Sequence, residues 1–326
     1  MKKVIEVYCW GEPLAGFYSK NPNALGKPGE FRMTWGGDTS NVALSVRKLG
    51  HSSGYMTKIG NDFVGQGLLK LWKSEGVDVT NVFLDREHST GMYFVDFDEN
   101  GEHIFYYRRK GSAASTMNKD FCESIQIDEG KIFHLSGISQ AISFECLECS
   151  FDLIERFKSN GFKISYDLNY REKLWLKKFA RNIYRVIIED YADIVSFNEK
   201  EALILDLPDN PFEAVSQVLE FGPEIVAYKL GSKGAVLGMK EEIVAYSAPK
   251  VEVKDTVGAG DAFTGAVLVG ILEEMSAKDL LKFAISTAAL TCKNTGSVEG
   301  QPRRNEIKDF IKKIEFQDLL RGGVSK

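Results

Sequence analysis

The chain has 326 residues, of which 44% are hydrophobic and 27% charged, a composition typical of a folded globular protein. Its formal net charge of −5 excludes the broad positive field with which proteins bind nucleic acids or acidic membranes. An anionic ligand would therefore need a local group of Arg or Lys side chains inside a pocket. The N-terminal segment, where Glu6 interrupts a short apolar run, does not resemble a signal peptide. No stretch approaches the ~18 apolar residues of a membrane span, so we expect a cytoplasmic protein.

Hydrophobic periods of two and of about 3.6 residues alternate along most of the chain, which predicts strands and helices in turn. The predicted elements are, in chain order, the strand Val4–Trp10, the helix Asn41–Leu49, the strand Ser53–Ile59, the helix Phe63–Ser74, the strand Lys131–Leu135, the helix Phe144–Asn160, the strand Lys163–Asp167, the helix Lys173–Asp190, the strand Asp193–Ser196, the helix Glu213–Phe221 and the strand Ile225–Lys229. Asp62 is a candidate N-cap of the second helix, and Gly76 marks its end. This β-α-β-α order favours a mostly parallel sheet covered by helices, whose ligands bind beyond the carboxyl ends of the strands.

Two segments break the alternation and predict two further strand pairs. The pairs are Leu14–Tyr18 with Glu30–Trp35, and Gly91–Asp98 with His103–Arg109. The second pair is joined by Glu99–Glu102, whose Asn-Gly dipeptide is a strong hairpin signal. These four strands predict a small sheet that stands off the main body, either as decoration or as a lid over the ligand site. We therefore expect one domain over residues 1–316, with lid strands inserted at about 13–35 and 90–110, and a loose tail at 317–326.

The cysteines do not predict a disulfide framework, because their number is odd and they are scattered. The five are Cys9, Cys122, Cys146, Cys149 and Cys292. Cys146 and Cys149 form a CxxC pair of the kind that binds metals or acts in redox chemistry. No second pair follows at zinc-ligand spacing, so we interpret all five as ordinary core or surface cysteines.

The motif with the clearest chemistry is Asp255–Phe263, which precedes a helix of small residues. The small residues Gly258, Ala259 and Gly260 let backbone N–H groups point into one concavity at the helix N-terminus, where oxyanions bind. A carboxylate in the same first turn, Asp261, could take the proton of a hydroxyl that accepts a phosphoryl group. The alternative is an ordinary helix cap flanked by glycines.

Asp255–Phe263 resembles the C-terminal signature of the ribokinase-like (phosphofructokinase-B type) carbohydrate kinases. Gly36–Ala43, followed by Lys48-Leu49-Gly50, resembles their N-terminal signature, and Gly60-Asn61-Asp62 with Gly65 also matches. The correspondence runs in order from about residue 4 to residue 313. It implies a ribokinase-like three-layer α/β/α domain with a mostly parallel central sheet and a small β-sheet lid. The implied activity is phosphorylation of a sugar hydroxyl by ATP with Mg²⁺.

The same resemblance assigns roles to residues of the two signatures. Asp261 would be the catalytic base, and Gly258, Ala259 and Gly260 would form the anion hole. Gly36 and Gly37 would bring backbone close to the sugar, where a side chain would obstruct it, and Asn41 would contact the substrate. The chain lacks the Gly-x(4)-Gly-Lys-[Ser/Thr] pattern, which disfavours a Walker-type kinase.

The nucleotide side of the site rests on weaker matches. Lys229–Ala235 resembles the strand, glycine loop and strand that lie beside ATP in the family. The residues that the resemblance assigns to the nucleotide are Asn198, Lys229, Gly231, Gly234, Gly258, Gly260 and Asn294. Asn198-Glu199-x-Glu201 resembles the Asn-x-x-Glu element, in which Glu201 would act on Mg²⁺ through water. The backbone of Asp255 and Val257 is a candidate site for a monovalent cation such as K⁺.

The nucleotide-side motifs also have plainer interpretations. On its own, the segment with Gly231 and Gly234 predicts a β-hairpin. Likewise, the segment that starts at Asn198 predicts the beginning of a helix. Both alternatives stay open from the sequence.

The lid segments point to a keto-acid substrate. Tyr93, Tyr106, Arg108 and Arg171 lie in segments that together resemble the 2-keto-3-deoxygluconate kinases of the family. The arginines can donate fork-shaped hydrogen bonds to a carboxylate, and the tyrosines can offer hydroxyls. Tyr106 and Arg108 share one face of their strand and Tyr107 the other, since side chains alternate. The alternatives are a solvated hairpin for Tyr106 and Arg108, and pairing with Asp167 for Arg171.

We therefore expect ATP-dependent phosphorylation of 2-keto-3-deoxygluconate at its 6-hydroxyl. The alternatives are a fructokinase, a ribokinase, a ketodeoxygalactonate kinase or a catalytically silent sugar-binding protein on the same fold. The partners would be small molecules, with no nucleic acid and no membrane. Relatives often pair their lids, so we expect a homodimer or higher homo-oligomer, with Phe105 and Tyr107 at the contact.

Overall fold

The computed structural model describes residues 4–21, 27, 29–97, 103–239 and 242–319. The strands are β1 Val7–Trp10, β2 Leu14–Ser19, β3 Phe31–Gly36, β4 Ser53–Gly60, β5 Val82–Asp85, β6 Gly91–Phe97, β7 His103–Arg108, β8 Ile132–Ser136, β9 Lys163–Asp167, β10 Ile194–Asn198, β11 Ile225–Lys229, β12 Ala235–Met239 and β13 Glu242–Tyr246. The helices are α1 Asp38–Lys48, α2 Phe63–Glu75, α3 Lys119–Ser124, α4 Gly137–Ala141, α5 Phe144–Ser159, α6 Lys177–Asp190, α7 Glu199–Ile204, α8 Pro211–Glu220, α9 Ala259–Leu272, α10 Ala277–Thr291 and α11 Arg304–Ile311. The predicted hairpin turn Glu99–Glu102 lies outside the described residues.

Within the described residues, the larger sheet has nine strands in the order β13-β12-β11-β10-β9-β8-β1-β4-β5. The strands from β11 to β5 are parallel to their neighbours, and β12 and β13 continue the sheet as antiparallel strands. This confirms the expected mostly parallel sheet. Because parallel strands end at the same edge, β9, β10 and β11 bring Asp167, Asn198 and Lys229 side by side.

Helices cover both faces of this sheet, which confirms the three-layer α/β/α architecture. One apolar core lies between the sheet and the helices α3 and α5–α8, and a second lies between the sheet and α1, α2 and α9–α11. Trp72 of α2 is fully buried in the second core, and its indole N–H donates to Ser40 Oγ of α1 at 2.9 Å. In the described part of the chain, no helix combines the length and apolar character needed to cross a membrane.

Helix α2 begins and ends as its sequence predicts. Asp62 is its N-cap and accepts a hydrogen bond from Gly65 N–H at 2.8 Å, and Gly76 follows the helix with φ 76°. The Asp62 carboxylate also accepts the backbone N–H of Thr90 at 2.7 Å, immediately before β6. One side chain therefore caps α2 and fixes the start of a strand in the second sheet.

The second sheet of the described residues has four strands in the order β3-β2-β6-β7, which confirms the small separate sheet. We call it the lid sheet. Tyr93 pairs with Tyr107 across β6 and β7, whereas Phe94 pairs with Tyr106 and Met92 with Arg108. Directly paired residues point to the same face, so we call the face with Tyr93 and Tyr107 the inner face. The face with Phe94 and Tyr106 is the outer face.

The described part of the predicted loose tail is bound to the larger sheet, so that prediction is wrong for residues 317–319. Ser247 N–H donates to the Gln317 carbonyl at 2.9 Å, and Leu319 N–H donates to the Ala245 carbonyl at 3.1 Å. The Phe316 ring packs against Tyr246 at 5.8 Å between centroids. These contacts extend the packed chain beyond residue 316.

Cys122 and Cys149 form a disulfide, so the interpretation of all five cysteines as ordinary thiols is wrong for this pair. Their Cα atoms are 6.0 Å apart, and their positions are separated by 27 residues. The contact arises because α3 packs on α5, which the spacing of the cysteines does not reveal. Cys9, Cys146 and Cys292 are free thiols, so the CxxC motif is not itself a disulfide.

Candidate active site

The candidate site lies where the N-terminus of α9 meets the carboxyl ends of β9 and β11. Thr264 of α9 donates its hydroxyl to Asp167 Oδ2 at 3.1 Å, and Lys229 Nζ contacts the same oxygen at 2.6 Å. The Thr264 bond ties α9 to this edge of the sheet one turn after Asp261, which lies in the first turn of the helix. The location agrees with the general rule for ligands of parallel α/β sheets.

Asp261 is oriented by α1, the helix formed by most of the N-terminal signature. Asn41 Nδ2 donates to Asp261 Oδ2 at 2.7 Å, across 220 residues of sequence. Burial raises the pKa of Asp261 to about 7, and the nearby Asp38 carboxylate adds to this effect. The hydrogen bond from Asn41 acts in the opposite direction. A carboxylate whose pKa lies near neutral pH is well matched to general-base catalysis. Asn41 thus contacts the candidate base. Its expected contact with a substrate stays a prediction.

The three small residues before Asp261 open the N-terminus of α9. Gly258 is the N-cap with φ 80°, and a Cβ there would lie 2.6 Å from Ser297 Cβ. Gly260 is exposed, and a Cβ there would lie 3.9 Å from Lys229 Nζ, with no other described atom outside the local helix backbone within 4 Å. The first N–H groups of a helix have no acceptor within the helix. The space above residues 258–260 can therefore receive an oxyanion close to the ammonium of Lys229.

Lys229 and Asp167 form a buried ion pair at this edge. Burial lowers the pKa of Lys229, but the carboxylates of Asp167 and Glu201 outweigh it and raise the pKa above its usual range. The second oxygen of Asp167, Oδ1, is buried and has no hydrogen-bond partner within the described part of the chain. The proposed alternative of an Arg171–Asp167 pair is wrong, since Arg171 is exposed and donates to the Tyr170 carbonyl at 2.9 Å.

Asn198 and Glu201 form a capping box at the start of α7. Asn198 Oδ1 accepts two backbone N–H groups, and Glu201 Oε2 accepts the Asn198 N–H at 2.7 Å. Glu201 Oε1 accepts the Tyr170 N–H at 2.9 Å. Burial, followed by the charge of Asp167, raises the pKa of Glu201. The helix-start interpretation is therefore confirmed, and it places a buried carboxylate beside Asp167.

The loop after Lys229 is the β11–β12 hairpin that the sequence predicts. Gly231 is exposed with φ 59°, and Gly234 has φ 119° in a position where a Cβ would lie 2.0 Å from the Tyr246 carbonyl oxygen. Asn294 is exposed after α10, and its N–H donates to the Thr291 carbonyl at 3.3 Å. The Gly231 loop is accessible at the carboxyl edge of β11, and Asn294 is accessible after the end of α10.

Asp255 holds the loop that leads to the anion hole. Its carboxylate accepts the N–H of Val257 at 3.0 Å and the N–H of Gly296 at 3.0 Å. Among the described residues, no group of three or more His, Cys, Asp or Glu side chains could bind a metal. A cation at Asp255 and Val257 would therefore depend on backbone carbonyl oxygens.

Gly36 and Gly37 are required by packing inside the protein. A Cβ at Gly36 would lie 2.9 Å from the Tyr93 hydroxyl oxygen. Gly37 has φ 104°, and a Cβ there would lie 2.6 Å from the Glu12 carbonyl oxygen. Their small size therefore seats the lid sheet on the body at the start of α1.

The lid sheet separates the tyrosines and arginine that the sequence analysis grouped together. Tyr93 lies on the inner face, where it is buried, and Tyr106 and Arg108 lie on the outer face. Tyr106 is 56% exposed and Arg108 is also exposed, so the sheet does not bring these two substrate-binding candidates together with Tyr93. Alternation correctly predicts which residues share a face, but it does not predict which face turns toward the body.

Several observations place the inner face toward the candidate site. Tyr18 and Tyr93 are buried there, and the Asp255 carboxylate contributes to the raised pKa of both, after burial as the main cause. For Tyr93 the pKa is about 12. The Tyr93 hydroxyl also reaches Gly36, two residues before Asp38. The inner face thus covers the region between α1 and the Asp255 loop.

The arginine on the inner side is Arg109, which the sequence analysis missed. Arg109 forms an ion pair with the fully buried carboxylate of Glu12, and its guanidinium lies 5.7 Å from the centroid of the Tyr107 ring. Ser112 Oγ donates to the other Glu12 oxygen at 2.5 Å. The alternation of side chains along a strand could have indicated this face, because Arg109 is two residues beyond Tyr107 and four beyond Phe105.

Asp38 is a second residue that the sequence analysis did not assign. It is the first residue of α1, and its Oδ2 accepts Asn169 Nδ2 at 2.8 Å. Asn169 follows β9 with φ 39°. The carboxyl edge of β9 and the N-terminus of α1 are therefore joined beside Asp261.

Comparisons with known proteins agree with this arrangement. Residues 5–304 match the model of the pfkB family of carbohydrate kinases. The 2-dehydro-3-deoxygluconokinase of Bacillus subtilis is 30% identical over 312 residues, covering 94% of this chain and 95% of that protein. Fructokinase-1 of Zea mays is 29% identical over 316 residues, covering 94% and 98%. The structure of an E. coli protein assigned as a ribokinase II, in complex with ATP and Mg²⁺, has 26% identity and a TM-score of 0.87, covering 95% of this chain and 100% of that one. The chain therefore belongs to the pfkB family of carbohydrate kinases.

Proposed function

We propose that this carbohydrate kinase transfers the γ-phosphoryl group of ATP to the 6-hydroxyl of 2-keto-3-deoxygluconate, with Asp261 as the general base. The observation that carries the proposal is the position of Asp261 at the open N-terminus of α9, oriented by Asn41. The pKa of about 7 keeps a large fraction of this carboxylate able to accept a proton at neutral pH.

The residues around Asp261 account for the steps of the transfer. The sugar hydroxyl donates its proton to Asp261 as its oxygen attacks the γ-phosphorus of ATP. The bond between this phosphorus and the β,γ-bridging oxygen breaks, and ADP leaves. Backbone N–H groups at 258–260, together with the dipole of α9, stabilise the negative charge on the phosphoryl group. Lys229 Nζ adds a positive charge next to Gly260. Proton acceptance and charge stabilisation thus come from adjacent residues of a single helix turn.

The nucleotide site fits ATP with Mg²⁺, the ligands of the E. coli relative. The exposed Gly231 loop, Gly234 and Asn294 would border the nucleotide, and Asn198 and Lys229 would lie at its phosphates. Asp167 Oδ1 is a buried acceptor without a partner in the described residues, so Asp167 and Glu201 would hold Mg²⁺ through water. The metal supplies charge neutralisation for the phosphates. A monovalent cation such as K⁺ would bind backbone carbonyls at Asp255 and Val257.

The acidic end of the substrate would meet the inner face of the lid sheet. Tyr93 and Tyr107 offer hydroxyls, and Arg109 offers a guanidinium held in place by Glu12. A guanidinium has five N–H donors, so one partner leaves others for a ligand. Arg171, exposed in the loop after β9, is the second candidate for the carboxylate. These donors answer the need for local positive charge in a protein of net charge −5.

A neutral-sugar kinase is the second candidate, because Fructokinase-1 of Zea mays is almost as similar as the B. subtilis 2-dehydro-3-deoxygluconokinase. A neutral sugar would leave the donors of Arg109 that Glu12 does not use without an anionic ligand. A catalytically silent sugar-binding protein is disfavoured by Asp261 and the open helix terminus beside it.

A coupled ADP-release assay over a panel of acceptors tests the proposal. The panel contains 2-keto-3-deoxygluconate, its C4 epimer 2-keto-3-deoxygalactonate, fructose and ribose, each with ATP and Mg²⁺. We expect kcat/KM for a keto acid to exceed that for either neutral sugar by at least ~10-fold, the value of one charge-assisted hydrogen bond. Fructose or ribose turned over equally well would identify a neutral-sugar kinase, and no ADP release with any acceptor would refute kinase activity on these sugars.

A further inference from the structure

Asp38 lies on the same side of α1 as the residue that orients the candidate base. Asp38 and Asn41 are three residues apart in this helix, and such residues are neighbours on a helix surface. Asn41 donates to Asp261 Oδ2 at 2.7 Å. The Asp38 carboxylate is therefore next to the position at which a hydroxyl would approach Asp261.

The Asp38 carboxylate is held on one side and available on the other. Its Oδ2 accepts Asn169 Nδ2 at 2.8 Å, and this bond orients the carboxyl plane. Hydrogen bonds from the described residues do not reach its Oδ1, and the side chain is partly exposed. An oriented carboxylate with an open oxygen is suited to accept one hydrogen bond from a ligand.

Charged groups from three elements act on the carboxylate of Asp261. Asp38 on α1 and Asp167 at the end of β9 are the carboxylates that raise the pKa of Asp261, and Lys229 at the end of β11 lowers it. Of these charged groups, Asp38 has the largest effect, after burial. Two carboxylates side by side repel each other, and a ligand with two neighbouring hydroxyl donors relieves this repulsion.

We propose that Asp38 determines specificity for a terminal 1,2-diol, because its Oδ1 accepts a hydrogen bond from the hydroxyl adjacent to the one that Asp261 deprotonates. This inference rests on the proposed function, since it takes Asp261 as the base. In a six-carbon 3-deoxy-2-keto acid the pair is the 5-hydroxyl and the 6-hydroxyl. In a ring-closed furanose the C5 oxygen is part of the ring and carries no proton to donate, so Asp38 selects against that form.

The test compares 2-keto-3-deoxygluconate with its 5-deoxy analogue on the wild-type protein and on Asp38→Asn. We expect the wild type to lose ~10- to 100-fold in kcat/KM on the analogue, the effect of losing a hydrogen bond to a charged group. Asp38→Asn should lose a similar factor on the full substrate and then discriminate less than ~3-fold between the two. The matched control is Asp120→Asn, an exposed aspartate in the first turn of α3, which should behave as wild type.

The pH profile distinguishes this role from a merely structural one. Removal of the Asp38 charge should move the acidic limb of kcat/KM to lower pH, because the pKa of Asp261 falls. If the acidic limb of the pH profile is the same in Asp38→Asn as in the wild type, the inference is overturned. Equal activity of the wild type on the two substrates would overturn it too. If Asp38→Asn fails to fold, the wild-type comparison of the two substrates still decides it. Turnover of neither acid, with turnover of fructose, would instead refute the proposed function and this inference with it.

Discussion

Two adjacent arginines at the end of β7 differ in the face of the lid sheet that they reach. Arg108 is exposed on the outer face, whereas Arg109 is paired with buried Glu12 next to Tyr107. We therefore predict that Arg109→Lys raises the KM for the keto acid ~10-fold or more, since Lys keeps the charge opposite Glu12 but loses the forked donors. The KM for ATP should change less than ~3-fold, as measured by steady-state kinetics.

Arg108→Ala is the matched control and should leave both KM values near those of the wild type. Arg109→Ala is less informative, because an unpaired buried Glu12 would cost about 3–5 kcal/mol of folding stability. A large rise in the keto-acid KM for Arg108→Ala, without one for Arg109→Lys, would return the acid site to the outer face.

At the level of secondary-structure elements, the N-cap of α2 links the body to the lid sheet. Asp62 accepts Gly65 N–H within the helix and both the N–H and the hydroxyl of Thr90 before β6. We predict that Asp62→Ala lowers the free energy of unfolding by about 1–2 kcal/mol, measured by urea denaturation. It should also raise the KM for the sugar acid, because the lid strand loses its anchor.

The control for this prediction is Asn118→Ala, which removes the N-cap of α3 without touching the lid sheet. Among the described residues, the side-chain oxygen of Asn118 accepts one hydrogen bond, from Phe121 N–H at 3.2 Å. Its loss should lower stability but leave the sugar KM unchanged. Identical kinetic effects of the two variants would show that the Asp62–Thr90 bonds do not position the lid.

The sequence predicts those elements best in which local signals and burial agree. The predicted bounds of β9 and β11 match the structure, and Asp62 and Gly76 flank α2 as predicted, although the helix ends one residue after the predicted Ser74. Helix α1 starts at Asp38, three residues before the predicted start, because its first turn is polar and the apolar period begins only at Val42. That missing turn contains Asp38, which the sequence analysis left unassigned.

The rest of the site depends on contacts that no local pattern contains. The bonds from Asn41 to Asp261 and from Asn169 to Asp38 join residues 220 and 131 positions apart. Motif resemblance identified Asp261 and Asn41 as site residues, but it did not indicate that they touch. Packing also decides which face of the lid sheet turns toward the body. Side-chain alternation places Tyr107 and Arg109 on the same face, but it takes the contact with buried Glu12 to show that this face is the inner one.

At the scale of the whole molecule, we expect self-association through the outer face of the lid sheet. Phe17 stacks on Phe94 at 5.3 Å between centroids, and Ile104 and Tyr106 beside them are 48% and 56% exposed. Exposed apolar patches of this kind mark interfaces, and a second copy of the chain would present the same patch under two-fold symmetry. Phe105 and Tyr107, where the sequence analysis expected the contact, lie on the inner face, so we now expect the contact on the outer face instead.

We predict a homodimer in solution, measured by multi-angle light scattering, and its dissociation by the double change Ile104→Glu, Tyr106→Glu. Charges placed in an apolar contact are costly to desolvate. Phe144→Glu, at an equally exposed phenylalanine on α5, should leave the dimer intact. A wild-type monomer at high micromolar concentration, or a dimer that survives the double change, would contradict this assignment.

Deprotonation of Asp261 should raise the activity of the enzyme and lower the stability of its fold. Burial and Asp38 raise its pKa to about 7, so kcat/KM should rise with pH and level off above about 7 as the base loses its proton. The same raised pKa stabilises the folded protein below pH ~4, and this stabilisation is lost as the pH rises through about 7. At pH 8 the wild type must keep a buried, negatively charged carboxylate at position 261, whereas Asp261→Asn has a neutral amide there. Asp261→Asn should therefore unfold at a higher temperature than the wild type at pH 8.

The most direct measurement of the central claim is the turnover of Asp261→Asn at pH 8, with ATP binding measured in parallel by calorimetry. The amide has the same shape but cannot accept the hydroxyl proton, and general-base catalysis contributes ~10²- to 10⁴-fold. We predict that kcat for the keto acid falls by that factor while the Kd for ATP changes less than ~3-fold. A variant that kept more than about a tenth of the wild-type kcat would show that Asp261 is not the catalytic base.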